Sequence, residues 1–296
     1  TVASIILGTV LGGVLISPHV APWLLSFDLP LIDTHIDTPA EAAVVVTIGI
    51  YALAALFNLR IPDTGARYPG RTSNPFTLLR IFWHCNLTLW RDPLGQIALA
   101  VTTLFWGAGA SLQFLVLKWA EHQLDMRLDQ ATRLQGVVAL GVALGAVLAA
   151  SWVPLRRSLR VLPLGVAMGF AIMLMTIVHN EAMAMLVLLV IGILSGFFVV
   201  PMNALLQHRG YVVMSAGNSI AVQNFNENLN ILVMLSFYAL MLWLDLPINT
   251  VAVLFGLAVA SVMLLVILWH RRNQRRFDSE VHIGEDPRHG NIPTPH

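Results

Sequence analysis

Long apolar runs broken by short polar gaps set the pattern of this chain. Eight runs are almost free of charge, at about 1–16, 42–57, 94–117, 134–153, 161–178, 183–206, 219–243 and 251–269. Apolar stretches of roughly 18 residues are long enough to cross the hydrocarbon core of a bilayer as helices. A backbone in lipid must satisfy its own hydrogen bonds, so helices are the form expected. The two-residue alternation of a membrane barrel is absent. The fold class read from this pattern is an all-α polytopic membrane protein with eight transmembrane helices in the chain.

The gaps are unequal. The longest, 58–93, holds Pro62, Gly65, Pro69, Gly70 and Pro75, which break helices. Behind them Phe76, Leu79, Trp83, Leu87 and Trp90 recur at spacings of three and four. They predict an amphipathic helix on the cytoplasmic membrane surface, where the five Arg of this connection suit anionic headgroups. A plain covalent bridge between two helix bundles is the alternative. Residues 1–57 therefore read as two helices of one bundle. Residues 58–93 are a cytoplasmic inter-bundle loop, 94–269 a six-helix bundle with short connections, and 270–296 a polar cytoplasmic tail. Gly8/Gly12, Gly141/Gly145 and Gly192/Gly196 fit the small-residue spacing that lets membrane helices approach closely.

Composition agrees with this reading. The chain has 296 residues, 57% hydrophobic and 11% charged, whereas soluble domains are about 25% charged. A net charge of +1 conceals an asymmetry. With alternate connections on opposite sides, only Lys118, Arg127 and Arg133 of the 17 Lys and Arg fall on one side. The other side, with Arg156, Arg157, Arg160, Arg209 and the tail arginines, is assigned to the cytoplasm by the positive-inside rule. The C-terminus is then cytoplasmic. Cys85 is alone, so no internal disulfide is expected. The first residue is Thr1 and the first run lacks flanking charge, so a fragment missing earlier helices is expected.

Candidate chemistry gathers in the seventh run. Gln223, Asn226, Glu227 and Asn230 span an arc of roughly 100° on a helix, and Asn224 and Asn228 widen one flank. Ala221, Val222, Phe225, Leu229, Leu232 and Val233 take the opposite arc. Glu227 is the one acidic residue inside a run. A charge at membrane depth is costly, so it marks a substrate or ion pathway, or a place to carry a proton. Interhelical hydrogen bonding is the other use of such a face. Pro201, in the sixth run, frees a carbonyl one turn back and is a candidate gate. Asn203 and Gln207 follow it near the cytoplasmic mouth. In the third run Trp106, Gly109 and Gln113 share a face, which lines a cavity or packs. No nucleophile elbow, phosphate loop, His-Glu-x-x-His or Cys-x-x-Cys occurs, so neither an enzyme nor a bound metal or cofactor is called for. Nothing suggests nucleic acid as a partner.

Phe105-Trp-Gly-Ala-Gly109, Gly196-Phe-Phe-Val-Val-Pro-Met-Asn-Ala-Leu-Leu-Gln207 and Ala216-Gly-Asn-Ser-Ile-Ala-Val-Gln-Asn224 with Glu227-Asn228 resemble the bacterial lysophospholipid transporters of the major facilitator superfamily. The resemblance implies a twelve-helix carrier of the bacterial inner membrane. It would move lyso-forms of phosphatidylethanolamine and phosphatidylglycerol from the outer to the inner leaflet. A cytoplasmic acyltransferase working with an acyl carrier protein would then re-acylate them. This chain would hold the last two helices of the first bundle and all six of the second. The resemblance also implies a basic residue where Gln113 stands, and Gln113 cannot supply that charge to a headgroup phosphate.

Overall fold

The computed structural model describes Leu11, Val14, Leu15, residues 20–26, 38–60 and 74–276, and Ile283. Among these residues every regular element is helical, and seven helices are long and apolar enough to cross a membrane. They correspond to seven of the eight expected spans. The run at 1–16 and the tail beyond 276 lie almost wholly outside the described residues, as does the breaker-rich stretch 61–73. The all-α, multi-pass membrane class read from the hydropathy pattern is the class observed. The chain parts into two compact units between Ser73 and Asn74.

The first unit contains α1 (Ala21–Leu25) and α2 (Pro39–Asn58). Thr38 starts α2 with a capping box, its hydroxyl accepting from the Glu41 amide while Glu41 accepts from the Thr38 amide. Two of the donors that a helix start leaves unsatisfied are thereby met. Along its length α2 is apolar on every side and mostly exposed, as suits a helix bathed in lipid.

The second unit contains α3 (Pro75–Arg91), α4 (Gly95–Gln123), α5 (Leu128–Trp152), α6 (Leu162–Leu174), α7 (Glu181–Val213), α8 (Ala216–Trp243) and α9 (Ile248–Arg276). A 3-10 segment, Leu155–Val161, leads into α6, and a second, Met175–Ile177, leads out of it. Starts are marked locally. Asn74, Asn180 and Ser215 each accept a backbone N–H from the first turn of α3, α7 and α8. The helices outrun the apolar windows: α4, α7 and α9 continue for several residues past 117, 206 and 269. Their polar ends satisfy backbone groups as well as apolar ones do.

Packing in this unit is dominated by α5 against α7, then α6 against α9 and α4 against α8. The first pair meets through Gly141 and Gly145 on α5 and Gly192 and Gly196 on α7. A Cβ on Gly145 would strike the Ile193 carbonyl, and one on Gly196 the Val142 carbonyl. These are the small-residue pairs recognised in the sequence, and here they bring backbone onto backbone. Short connections alternate the helices, so one end of the unit collects Arg91, Arg156, Arg157, Arg160, Arg209 and the basic end of α9.

Candidate functional site

The polar stripe of α8 is divided among three neighbours. On its first edge Asn230 donates to the Thr103 carbonyl of α4 at 2.8 Å. The approach is close because position 107 is glycine: a Cβ there would run into the Asn230 side chain. On the second edge buried Asn226 donates to Asn86 Oδ1 of α3 and to its own Val222 carbonyl, both at 2.8 Å. Its Oδ1 accepts from the Trp90 indole at 3.1 Å. All hydrogen-bonding atoms of this amide are used, as burial requires.

The third edge faces α7. The Gln223 Nε2 donates to Asn203 Oδ1 at 3.1 Å and to Glu227 Oε1 at 2.8 Å. One amide thus bridges a neutral side chain on α7 and a carboxyl one turn along α8. Glu227 is 8% exposed and is the only acidic or basic residue among the described buried ones. No cation among the described residues pairs with it. A buried carboxyl with one amide donor retains most of its accepting capacity. The apolar arc opposite, at Phe225, Leu229, Leu232 and Val233, is exposed as expected of a lipid-facing surface. Val222 departs from that arc and is fully buried.

The remaining candidates are more scattered. Asn224 is exposed, and its carbonyl accepts from Asn228. Trp106 is half-buried, edge-on to Phe105, and its buried indole N–H meets no acceptor. The neighbouring Thr103 hydroxyl is likewise without a partner. Gln113 is exposed, and its carbonyl accepts from Gln135 of α5 at 2.7 Å. Pro201 is buried within α7, which runs unbroken from Glu181 to Val213. The structure therefore brings together Glu227, Gln223 and Asn203. It places Asn226 and Asn230 in contacts to two other helices.

Four residues were not read as site residues in the sequence, although its pattern places Trp90 on the amphipathic face and Arg209 on the basic side. Asn86 and Trp90 hold Asn226 from α3. Asn86 carried a signal, an amide between apolar Phe82 and Leu89 on one edge of an amphipathic helix. Asp92 and Arg209 form a bidentate pair, with Nη2 to Oδ1 at 2.5 Å and Nε to Oδ2 at 3.0 Å. Their side chains are only 10% and 14% exposed. Asp92 Oδ2 also accepts the Gly95 amide at 2.7 Å, at the start of α4. No metal-ligating cluster of His, Cys, Asp and Glu occurs among the described residues.

No family model matches the chain. Curated proteins do. A protein of Escherichia coli O157:H7 named lysophospholipid transporter LplT is 36% identical over 275 residues, which are 92% of this chain and 64% of that protein. Its namesake in Escherichia coli O1:K1 matches to the same extent. The namesake in Yersinia enterocolitica serotype O:8 is 40% identical over 250 residues, 84% of this chain and 57% of that protein. The chain thus spans somewhat under two thirds of these relatives, all of which are named as transporters rather than enzymes.

Proposed function

We propose that the chain is a lysophospholipid transporter, the family its motifs resemble and its relatives are named for, and that it carries lysophospholipids across the bacterial inner membrane. The direction is from outer to inner leaflet, and the cargoes are lyso-phosphatidylethanolamine and lyso-phosphatidylglycerol. The product is re-acylated by a cytoplasmic acyltransferase that uses an acyl carrier protein. In this reading residues 94–269 are the second bundle of a major facilitator carrier. Residues 1–57 are the last two helices of the first, 58–93 link the bundles, and 270–296 form a cytoplasmic tail. The arginine-rich end of the second unit lies in the cytoplasm. Transport proceeds by rocking one bundle against the other around a midplane site.

The observation that carries the proposal is the Asn203–Gln223–Glu227 triad. A lysolipid has one acyl chain and a zwitterionic or anionic head, so its passage needs a polar track beside a lipid-accessible wall. The α8 helix supplies both, with buried or half-buried amides and a carboxyl on one arc and exposed apolar side chains on the other. Glu227 can take the headgroup amine or a proton. Trp106 and Thr103 offer unused donors on the neighbouring helix, suited to phosphate or glycerol oxygens.

The test uses the complete gene product, with any helices that precede Thr1. It is expressed in cells lacking their own transporter and supplied with labelled lyso-phosphatidylethanolamine. Re-acylated lipid is expected, and Glu227→Gln is expected to remove most of it. Absence of uptake by correctly inserted protein overturns the proposal, and drug resistance without lysolipid uptake points to another amphipathic cargo. Collapsing the proton gradient separates the two roles of Glu227: a coupling carboxyl loses accumulation, whereas an amine-binding carboxyl retains it.

A further inference from the structure

The α3 helix has three faces. The first packs on the unit through Phe82, Asn86 and Leu89, with Asn86 and Leu89 buried and Phe82 edge-on to Phe225 of α8 at 5.2 Å. The second holds Phe76, Leu79, Trp83 and Leu87, which are 80%, 63%, 53% and 36% exposed. The third holds exposed Arg80, His84 and Arg91, none paired with a described acidic residue. On a helical wheel the packed face centres roughly 100° from the apolar stripe, and the cationic stripe adjoins the apolar one, roughly 75° further round. A helix with one side on protein, one side apolar and exposed, and one side cationic fits the margin between a bundle and a lipid surface. It lies in the plane of the membrane surface, against the bundle, with its apolar stripe in the acyl region and its cations among headgroups. The stacking of Trp90 on Trp269 at 6.4 Å adds the exposed Arg271, Arg272 and Arg275 of α9 to the same edge.

We propose that α3, with the basic end of α9, binds anionic phospholipid of the adjacent leaflet and that this contact sets the polar site on α8. The connection is physical. Asn86 and Trp90 both hold Asn226, which is adjacent in sequence to Glu227 and one turn from Gln223 and Asn230. A shift of α3 at the lipid surface therefore displaces the stripe that holds the carboxyl. The lipid contact stands apart from the transport reading, while its effect on flux rests on it.

Two readouts separate these parts. The complete gene product is reconstituted in vesicles of zwitterionic lipid with or without phosphatidylglycerol, either lipid carrying brominated chains. The quenching of Trp83 is read as the difference between the protein and Trp83→Phe. Brominated phosphatidylglycerol is expected to quench Trp83 more than the brominated zwitterionic lipid does, and Arg80→Gln with Arg91→Gln should abolish the preference. An unquenched Trp83 overturns the surface assignment, and equal quenching by both lipids in the unaltered protein overturns the binding of anionic phospholipid. Phosphatidylglycerol is also expected to raise lysolipid flux by about threefold. Trp90→Phe keeps an aromatic ring but lacks the N–H to Asn226, so it should retain lipid-selective quenching and lose that rise. A rise of the same size in Trp90→Phe overturns the transmission. A protein that shows selective quenching but carries no lysolipid overturns the transport reading and leaves the lipid contact standing.

Discussion

Two acidic residues lie in poorly solvated places in the second unit, and they are treated differently. Asp92 receives two bonds from the Arg209 guanidinium and a third from the Gly95 amide. Its charge is matched, and the same contact ties the α3–α4 joint to the end of α7. Glu227 receives one bond, from a neutral amide, and no described cation answers it. Burial of an ion is tolerable when a partner and good geometry compensate for lost water. Asp92 meets that condition, so its role is to hold helices. Glu227 does not, and under the proposed function that deficit leaves it for an arriving partner, a proton or a cationic headgroup.

The sharpest test of this contrast is Arg209→Ala. It leaves Asp92 buried without its counter-charge and is expected to cost about 3–5 kcal/mol, read as a drop in thermal stability in detergent. Combining Arg209→Gln with Asp92→Asn should recover much of that loss, because neither partner is then an unpaired ion. Next in size is Asn226→Ala. It strands the Trp90 N–H and the Asn86 amide at a buried contact, for an expected cost of about 1–3 kcal/mol in the same assay. Smallest is Glu227→Gln, which preserves shape and a bond to Gln223 and should shift stability by less than about 1 kcal/mol, while transport falls. If Glu227→Gln destabilised the protein as much as Arg209→Ala, Glu227 would be a structural residue like Asp92 and the contrast would fail.

The features legible in sequence were those set by local periodicity. Seven spans follow from the length of apolar runs, and the arc holding Gln223 and Glu227 follows from helical spacing. The glycine spacings on α5 and α7 announced a close approach, though not which helix would be the partner. What could not be read were pairings between residues far apart in the chain. Asp92 and Arg209 are 117 positions apart and Asn86 and Asn226 are 140 apart; Asp92, Arg209 and Asn86 each look solvated in their own segments, and the polar face holding Asn226 does not name its partner. The polar stripe of α8 shows the limit well. Its spacing forecast one shared face, but three helices converge on it, so neighbouring side chains on one arc meet different partners. Gln113 shows the converse: an amide on an apolar helix drew attention by its chemistry, yet its side chain is exposed and only its backbone engages α5.

The glycine contact between α5 and α7 has a mechanical consequence. Where side chains interleave, two helices can slip by changing rotamers. At Gly141, Gly145, Gly192 and Gly196 backbone lies on backbone, so there are no rotamers to change. The α5–α7 pair is thereby resistant to sliding at this crossing, one face of the helix that carries Pro201 and Asn203. The α4–α8 contact differs in that one of its links is the Asn230 amide, a side chain with rotamers to change.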